Sequence, residues 1–251
     1  GYQLKELDAG GVGEGESLRN FGVRGPGKFQ LRLRSKYKTA GNPDVPYDLL
    51  TELLPYQGAT EFEPNEQRAD ATPFGLDSIS GTIAPVGDQD WYKVTTDSGT
   101  KQLLRVELSG LAGMDLTLSL RDGLGNEVSF VDNMGKEQPE SMTGWGLADG
   151  DYHLVVSEKT GKKSDSRQAY ALARKMIAFQ PGLEWEPNNS SATVQSLKVG
   201  ESVDGYFAPK GDEDWYEFNL YQKGVVVMEI TGVINVAATM TLFDQEYAEV
   251  A

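Results

Sequence analysis

The sequence predicts an all-β chain of tandem antiparallel β-sandwich domains, each about 120 residues long, a length sufficient for an independent core. Three observations carry that expectation. First, an acidic phrase occurs twice. Glu61-Phe62-Glu63-Pro64-Asn65 precedes Gly87-Asp88-Gln89-Asp90-Trp91-Tyr92, and Glu184-Trp185-Glu186-Pro187-Asn188 precedes Gly211-Asp212-Glu213-Asp214-Trp215-Tyr216. The two copies stand 123 residues apart at Glu61 and Glu184, and 124 apart at Asp88 and Asp212. Second, apolar residues alternate with polar ones. Leu104, Val106 and Leu108 do so, and Leu116, Leu118 and Leu120 follow the same period, as do Tyr152, Leu154 and Val156. Third, turns such as Asp122-Gly123-Leu124-Gly125 and Asp149-Gly150-Asp151 separate these runs, and no long amphipathic helix interrupts them. Short strands with frequent turns suit a sandwich.

Taken in order, residues 1–60 read as the C-terminal half of one repeat. Glu16 to Val23 matches Glu140 to Leu147, Gly27 to Leu31 matches Gly150 to Leu154, and Pro46 to Leu49 matches Ala169 to Leu172. Leu49 to Leu54 is accordingly expected to be a final strand. Residues 61–180 form a complete repeat. Residues 184–251 read as the N-terminal half of a further one. There Asp204 to Pro209 matches Ser80 to Pro85, Val225 to Ile230 matches Leu103 to Leu108, and Ala238 to Asp244 matches Leu116 to Asp122. Two explanations of this phase stay open: a cut through a longer array, or association of the two half-repeats, within or between chains. A half-sandwich leaves apolar faces and strand edges bare, which favours association in some form.

Composition narrows the function. Asp and Glu number 38 against 23 Lys and Arg, giving a formal net charge of −15. Nucleic acid is excluded as a partner, because phosphate binding needs a basic surface. Hard cations with oxygen ligands suit the balance. No apolar run is long enough for a membrane span. With neither signal peptide nor initiating Met, the chain reads as a processed or excised piece. Cysteine is absent and His153 is the lone histidine. That removes thiolate metal sites and Cys–His dyads, and nothing like Gly-x-Ser-x-Gly supports a serine nucleophile, so an enzyme is not expected. His153, between Tyr152 and Leu154, is expected to face solvent.

The acidic phrases carry the chemistry. Residues two apart in an extended segment share a face, so Glu61 and Glu63 point one way, as do Asp88 and Asp90. Trp91 then points to the other side, where it is expected to anchor the strand in the core. Asn65 and Glu66 add further oxygens. Brought together, these segments supply five or six ligands, close to what calcium takes. The second set is Glu184, Glu186, Asn188, Asn189, Asp212 and Asp214. The competing reading makes Gly-Asp-x-Asp a turn with capping carboxylates and Glu-x-Glu-Pro-Asn a solvated linker. The crowding of carboxylates favours a cation, since they repel one another unless neutralised.

The ordered set Glu-x-Glu-Pro-Asn, Gly-x-Ile/Phe-x-Pro, Gly-Asp-x-Asp-Trp-Tyr, Gly-Asp-Tyr-x-Leu-x-Val and Tyr-x-Leu resembles the bacterial pre-peptidase C-terminal domain family, to which collagenase collagen-binding domains are related. The resemblance covers essentially the whole chain. It implies a jelly-roll-like β-sandwich from bacterial secreted, periplasmic or cell-surface proteins, often beside a protease. It also implies calcium on Glu61, Glu63, Asn65, Glu66, Asp88 and Asp90 and on their counterparts. Relatives commonly carry Asp after the Asn, where this chain has Glu66 and Asn189, so weaker binding is expected at the second set. The collagen-contact surface is not traceable here.

The function expected is that of a non-catalytic, calcium-stabilised binding or structural module, its partner a protein or extracellular polymer. Self-association through the half-repeats would fit that role. The alternative is an accessory domain that targets a secreted protease or other hydrolase to a polymer. The aromatic pairs Phe21 and Trp145, Phe62 and Trp185, and Trp91 and Trp215 occupy matching positions. They read as core or interface rather than sugar platforms.

Overall fold

The structure is a computed structural model and describes residues 11–23, 26–37, 39–96, 99–244, 246 and 248–249. It divides into two units between Glu217 and Phe218. The larger unit holds the strands β1 (Thr72–Pro73), β2 (Ser78–Ile83), β3 (Gln89–Thr96), β4 (Gln102–Leu108), β5 (Leu116–Arg121), β6 (Glu127–Val131), β7 (Glu140–Leu147), β8 (Gly150–Glu158), β9 (Asp165–Ala178), β10 (Gln195–Ser196) and β11 (Tyr216–Glu217). The one helical element among the described residues is a 3₁₀ turn at Arg68–Asp70. No helix there is long and apolar enough to cross a membrane.

Strands β2 to β9 make a β-sandwich. One sheet runs β2-β9-β4-β7, the other β1-β3-β8-β5-β6. Consecutive strands alternate between sheets except at β5 and β6, which is the jelly-roll order. Pairing is antiparallel throughout, apart from the short parallel contact of β1 with β3. The core lies between the sheets, where Ile79, Leu104, Val106, Leu118, Leu154 and Leu172 are buried. Each follows the two-residue period of its strand, so burial of one face fixes the register.

The same period runs through β3 with a consequence for the site. Asp90, Tyr92 and Val94 face the core, and Trp91 lies on the outer face, only partly buried. The expectation that Trp91 anchors the core is therefore corrected. Tyr92 takes that place, and the Asp side of the strand is the core side. Trp91 instead stacks under the Arg121 guanidinium at 5.2 Å and meets the His153 ring edge-on at 5.8 Å. His153 does lie on the outer face, but it is buried rather than solvent-facing. It sits in register between Lys93 of β3 and Arg121 of β5, under cover of Trp91. Burial lowers its pKa.

Outside the sandwich, Leu49 to Leu54 forms no strand and its leucines are exposed. Its equivalent, β9, lies between β2 and β4, and no counterparts of those two strands stand upstream of it in this sequence. The unit Phe218–Ala251 likewise contains no strand among its described residues, and Val225, Val227 and Ile234 are exposed. β4 pairs with β7 and β9, whose counterparts this sequence does not carry after Val225 to Ile230. Only local chemistry survives there. The Asp244 carboxylate accepts the Glu246 and Ala248 amides at 2.8 and 2.9 Å. Asp122 does the same in the β5–β6 hairpin with Leu124 and Asn126, at 2.8 and 2.9 Å.

Candidate metal centre

The segment 61–65 crosses the mouth of the sandwich beside the start of β3. Backbone bonds hold it there, among them Glu61 N to Ser80 O at 2.8 Å, Trp91 N to Asn65 O at 3.0 Å and Glu63 N to Asn20 O at 3.0 Å. This brings together the residues singled out in the sequence. Glu61, Glu63 and Asp90 place carboxylate oxygens within 4.8 Å of one another, and so do Glu63, Glu66 and Asp88. Glu63 belongs to both groups and so stands at their centre. Glu61, Glu63, Asn65, Asp88 and Asp90 are buried, whereas Glu66 is exposed at the rim.

Their hydrogen bonds separate two roles. Glu61 is tied by the Thr82 amide at 2.9 Å, the Thr82 hydroxyl at 2.9 Å and the Asn20 side-chain amide at 3.1 Å. It works as an anchor of the linker. Asp88 Oδ2 accepts the Ala84 amide at 2.6 Å. Asp90 Oδ2 accepts the Tyr170 hydroxyl at 2.6 Å, and Tyr170 in turn meets the Tyr92 hydroxyl at 2.6 Å. The other oxygen, Asp90 Oδ1, is buried without a hydrogen-bond partner, as is Asn65 Oδ1. Orphaned acceptors of this kind are costly and need an explanation such as an ion.

Electrostatics points the same way. Burial raises the Asp90 pKa well above the carboxylate range, and the charges of Glu61 and Asp88 add to the shift. Glu61 is pushed up to about 6, again chiefly by burial. Tyr92 and Tyr170 are raised strongly by burial and then by Asp90. Crowded anions that resist ionisation are what a bound cation would relieve.

The second segment repeats the geometry. Glu184, Glu186 and Asp214 place carboxylate oxygens within 4.8 Å of one another. Trp215 N donates to Asn188 O at 3.0 Å and Glu184 N to Asp204 O at 3.1 Å. Asp212 accepts the Ala208 amide at 2.8 Å, as Asp88 accepts that of Ala84. Glu184 accepts the Tyr206 amide at 2.8 Å and the Tyr216 hydroxyl at 3.0 Å. Glu186 Oε1, Asn188 Oδ1, Asp212 Oδ1 and Asp214 Oδ1 are buried without hydrogen-bond partners. Burial pushes Glu186 up to about 7. It also pushes Asp214 to about 7, with Glu184 adding to the shift. Asn189 is exposed, and its side-chain oxygen accepts the Asn188 amide at 3.2 Å.

Several contributors were not singled out from the sequence. Tyr170, Thr82 and Asn20 hold the carboxylates. Gly81 makes room for them: a Cβ there would strike the Glu61 carboxylate and the Tyr92 and Tyr170 hydroxyls. Gly205 stands in the same relation to Glu184 and Tyr216. The doubling of Gly81 and Gly205, and of Tyr92 and Tyr216, was the available signal. Both Glu-Pro bonds, Glu63-Pro64 and Glu186-Pro187, are cis.

No protein-family model and no curated protein sequence matches the chain. Among solved structures, the pre-peptidase C-terminal domain of collagenase from Bacillus anthracis is similar, with 17% sequence identity and a TM-score of 0.35. The match covers 44% of this chain and 100% of that one.

Proposed function

We propose that the protein is a non-catalytic structural and binding module whose β-sandwich is stabilised by calcium held at Glu63, Asn65, Glu66, Asp88 and Asp90, with Glu61 as anchor. A second site is formed by Glu184, Glu186, Asn188, Asn189, Asp212 and Asp214. The observation that carries this reading is the buried, partnerless Asp90 Oδ1 among carboxylates within 4.8 Å of one another. Oxygen-only ligands, one of them an amide, suit calcium better than zinc or copper. The reading places the module in a bacterial secreted, periplasmic or cell-surface setting, where calcium is plentiful, and gives it a protein or extracellular polymer as partner. The half-repeats 1–60 and 184–251 then serve self-association through the apolar residues that each leaves exposed.

Thermal melting with excess calcium and with chelator tests the site. A ligand present at about one hundred times its Kd adds about 2.7 kcal/mol, so a rise in midpoint of several degrees is expected. Terbium is a second probe, because Trp91 and Trp215 adjoin Asp90 and Asp214 and should sensitise its emission. An unchanged midpoint together with silent terbium would sink the reading.

A further inference from the structure

The outer face of the five-stranded sheet carries chemistry that the acidic centre does not use. Strand register sets two rows of side chains across it. One row runs Trp91, Val155, Ser119, Phe130, and the next runs Lys93, His153, Arg121, Glu127. The first row is aromatic at both ends and small in the middle. Its ends stand three strand spacings apart, about 14 Å. Phe130 is 48% exposed and Val128, on the same strand, 40%. Exposed apolar groups gathered in this way, rimmed by polar ones, mark a contact surface.

The second row brings cations to that band. The Arg121 guanidinium lies 5.2 Å from the Trp91 ring centre, so a planar surface continues from indole to guanidinium. Arg68 reaches over from the linker side and donates to Gly123 O at 2.8 Å. The charges of Lys93 and Arg68 both bear on His153. Carboxylates stand nearby, and each is engaged. Asp151 meets Lys93 at 2.7 Å and accepts the Thr95 hydroxyl at 2.7 Å. Glu127 meets Arg121 at 3.1 Å, and Asp122 accepts the amides of its own hairpin. Arg68 pairs with no carboxylate among the described residues. In a chain of net charge −15, the gathering of Arg68, Lys93 and Arg121 is a local exception. Two donors in this group also lack acceptors. Trp91 Nε1 and Arg121 Nε are buried without hydrogen-bond partners, where buried donors are normally paired.

We propose that this face, from Trp91 and Arg121 to Phe130 with Arg68 alongside, binds an acidic polysaccharide of the uronate class. It rests on the reading above only in taking an extracellular polymer as the partner, and it narrows that polymer to one chemistry without calling on calcium. Each part of a uronate chain has a counterpart here. The apolar face of the sugar ring packs on Phe130 and the indole. The carboxylate meets the guanidinium groups of Arg121 and Arg68, whose forked donors match its two oxygens. The grip on Arg121 is light. Its Nη1 donates to Gly125 O at 3.2 Å, and its bridge to Glu127 is part-exposed, where an ion pair contributes little. Turned outward onto the ligand, Arg121 uncovers the indole, and ring hydroxyls supply acceptors to the two orphaned donors.

Polygalacturonate and alginate are the probes, with an uncharged glucan and polyglutamate for comparison. All are titrated calorimetrically into the full chain in chelator, so that calcium cannot bridge polymer to protein. The uronates are expected to bind, more weakly as salt is added, and the glucan and polyglutamate are not. Arg68→Gln and Phe130→Ala alter exposed side chains outside the acidic centre. Each is expected to weaken uronate binding about tenfold at an unchanged melting midpoint. Lys162→Gln combined with Lys163→Gln removes charge from the turn after β8 instead, and should leave binding unaltered. Absence of uronate binding, equal binding of glucan or polyglutamate, or a loss in the lysine pair equal to that in Arg68→Gln overturns the proposal. Should uronate fail to bind while calcium still raises the melting midpoint, this proposal falls and the calcium-stabilised module stands.

Discussion

Asp90 is a buried carboxylate whose charge a proton or a cation would have to offset. Its carboxylate is wholly buried, with Oδ2 bonded by Tyr170 and Oδ1 bonded by nothing. Burial and the neighbouring Glu61 and Asp88 all oppose its ionisation. Where it is ionised with no cation beside it, this residue destabilises the fold, because an unpaired buried charge is costly. With one, the same oxygen becomes a ligand. Asp90→Asn separates these roles, since asparagine keeps the shape and still accepts the Tyr170 hydroxyl. The variant is expected to melt higher than the unaltered protein in chelator, by about 4 °C for each kcal/mol recovered. It should also lose most of the gain that calcium brings at the first site. Calorimetric melting of both proteins with and without calcium reads the two effects together. A variant that melts lower in chelator and keeps the full calcium gain contradicts the assignment of Asp90 as a ligand.

At the scale of elements, the two acidic sites differ in what encloses them: the first lies in the sandwich of β1 to β9, the second beside the short pair β10 and β11. β9 brings Tyr170 onto Asp90, and with it the first site is closed on the core side. Asp214, by contrast, is only partly buried. The proposed ligand set also changes, from Glu66 to the neutral Asn189. A titration of calcium into the full chain should therefore resolve two affinities. Asp90→Asn should abolish the tighter and Asp214→Asn the weaker. A single class of equal sites would refute the ranking. Much of this was legible beforehand, because alternation marks a strand and shared parity marks residues on one face. Thus β3, β4, β5 and β8 and all twelve candidate ligands followed from local pattern. Parity does not say which face is the core, so Trp91 was placed inward when Tyr92 fills that role. Nor does local pattern reveal contacts made across the sandwich. Tyr170 reaches Asp90 over 80 residues and Asn20 reaches Glu61 over 41, and neither leaves a mark near the acidic phrase. Val225 to Ile230 has the strand pattern yet forms no strand, because a ladder needs neighbours as well as alternation.

For the whole molecule, the buried acids tie the proposed calcium dependence to pH. Burial raises Glu61 to about 6 and Glu186 to about 7. It raises Asp214 to about 7, with help from Glu184. In the unfolded chain these groups titrate in the ordinary carboxylate range, near pH 4. Between that range and about pH 7, the calcium-free folded state therefore holds more protons than the unfolded one. Stability then falls as pH rises through the window. On the proposed calcium reading, the ion competes for the same oxygens and displaces those protons, so its affinity is expected to climb over the same window. The two trends reinforce each other. Near pH 5 Glu61, Glu186 and Asp214 are largely protonated, the calcium-free protein is near its most stable, and added calcium should move the melting midpoint little. Near pH 7.5 the carboxylates are forced to ionise, the calcium-free protein is weakened, and added calcium should move the midpoint by several degrees. Melting curves at those two pH values, each with calcium and with chelator, give four midpoints. Calcium shifts of equal size at both pH values would show that the buried carboxylates are not where the cation acts.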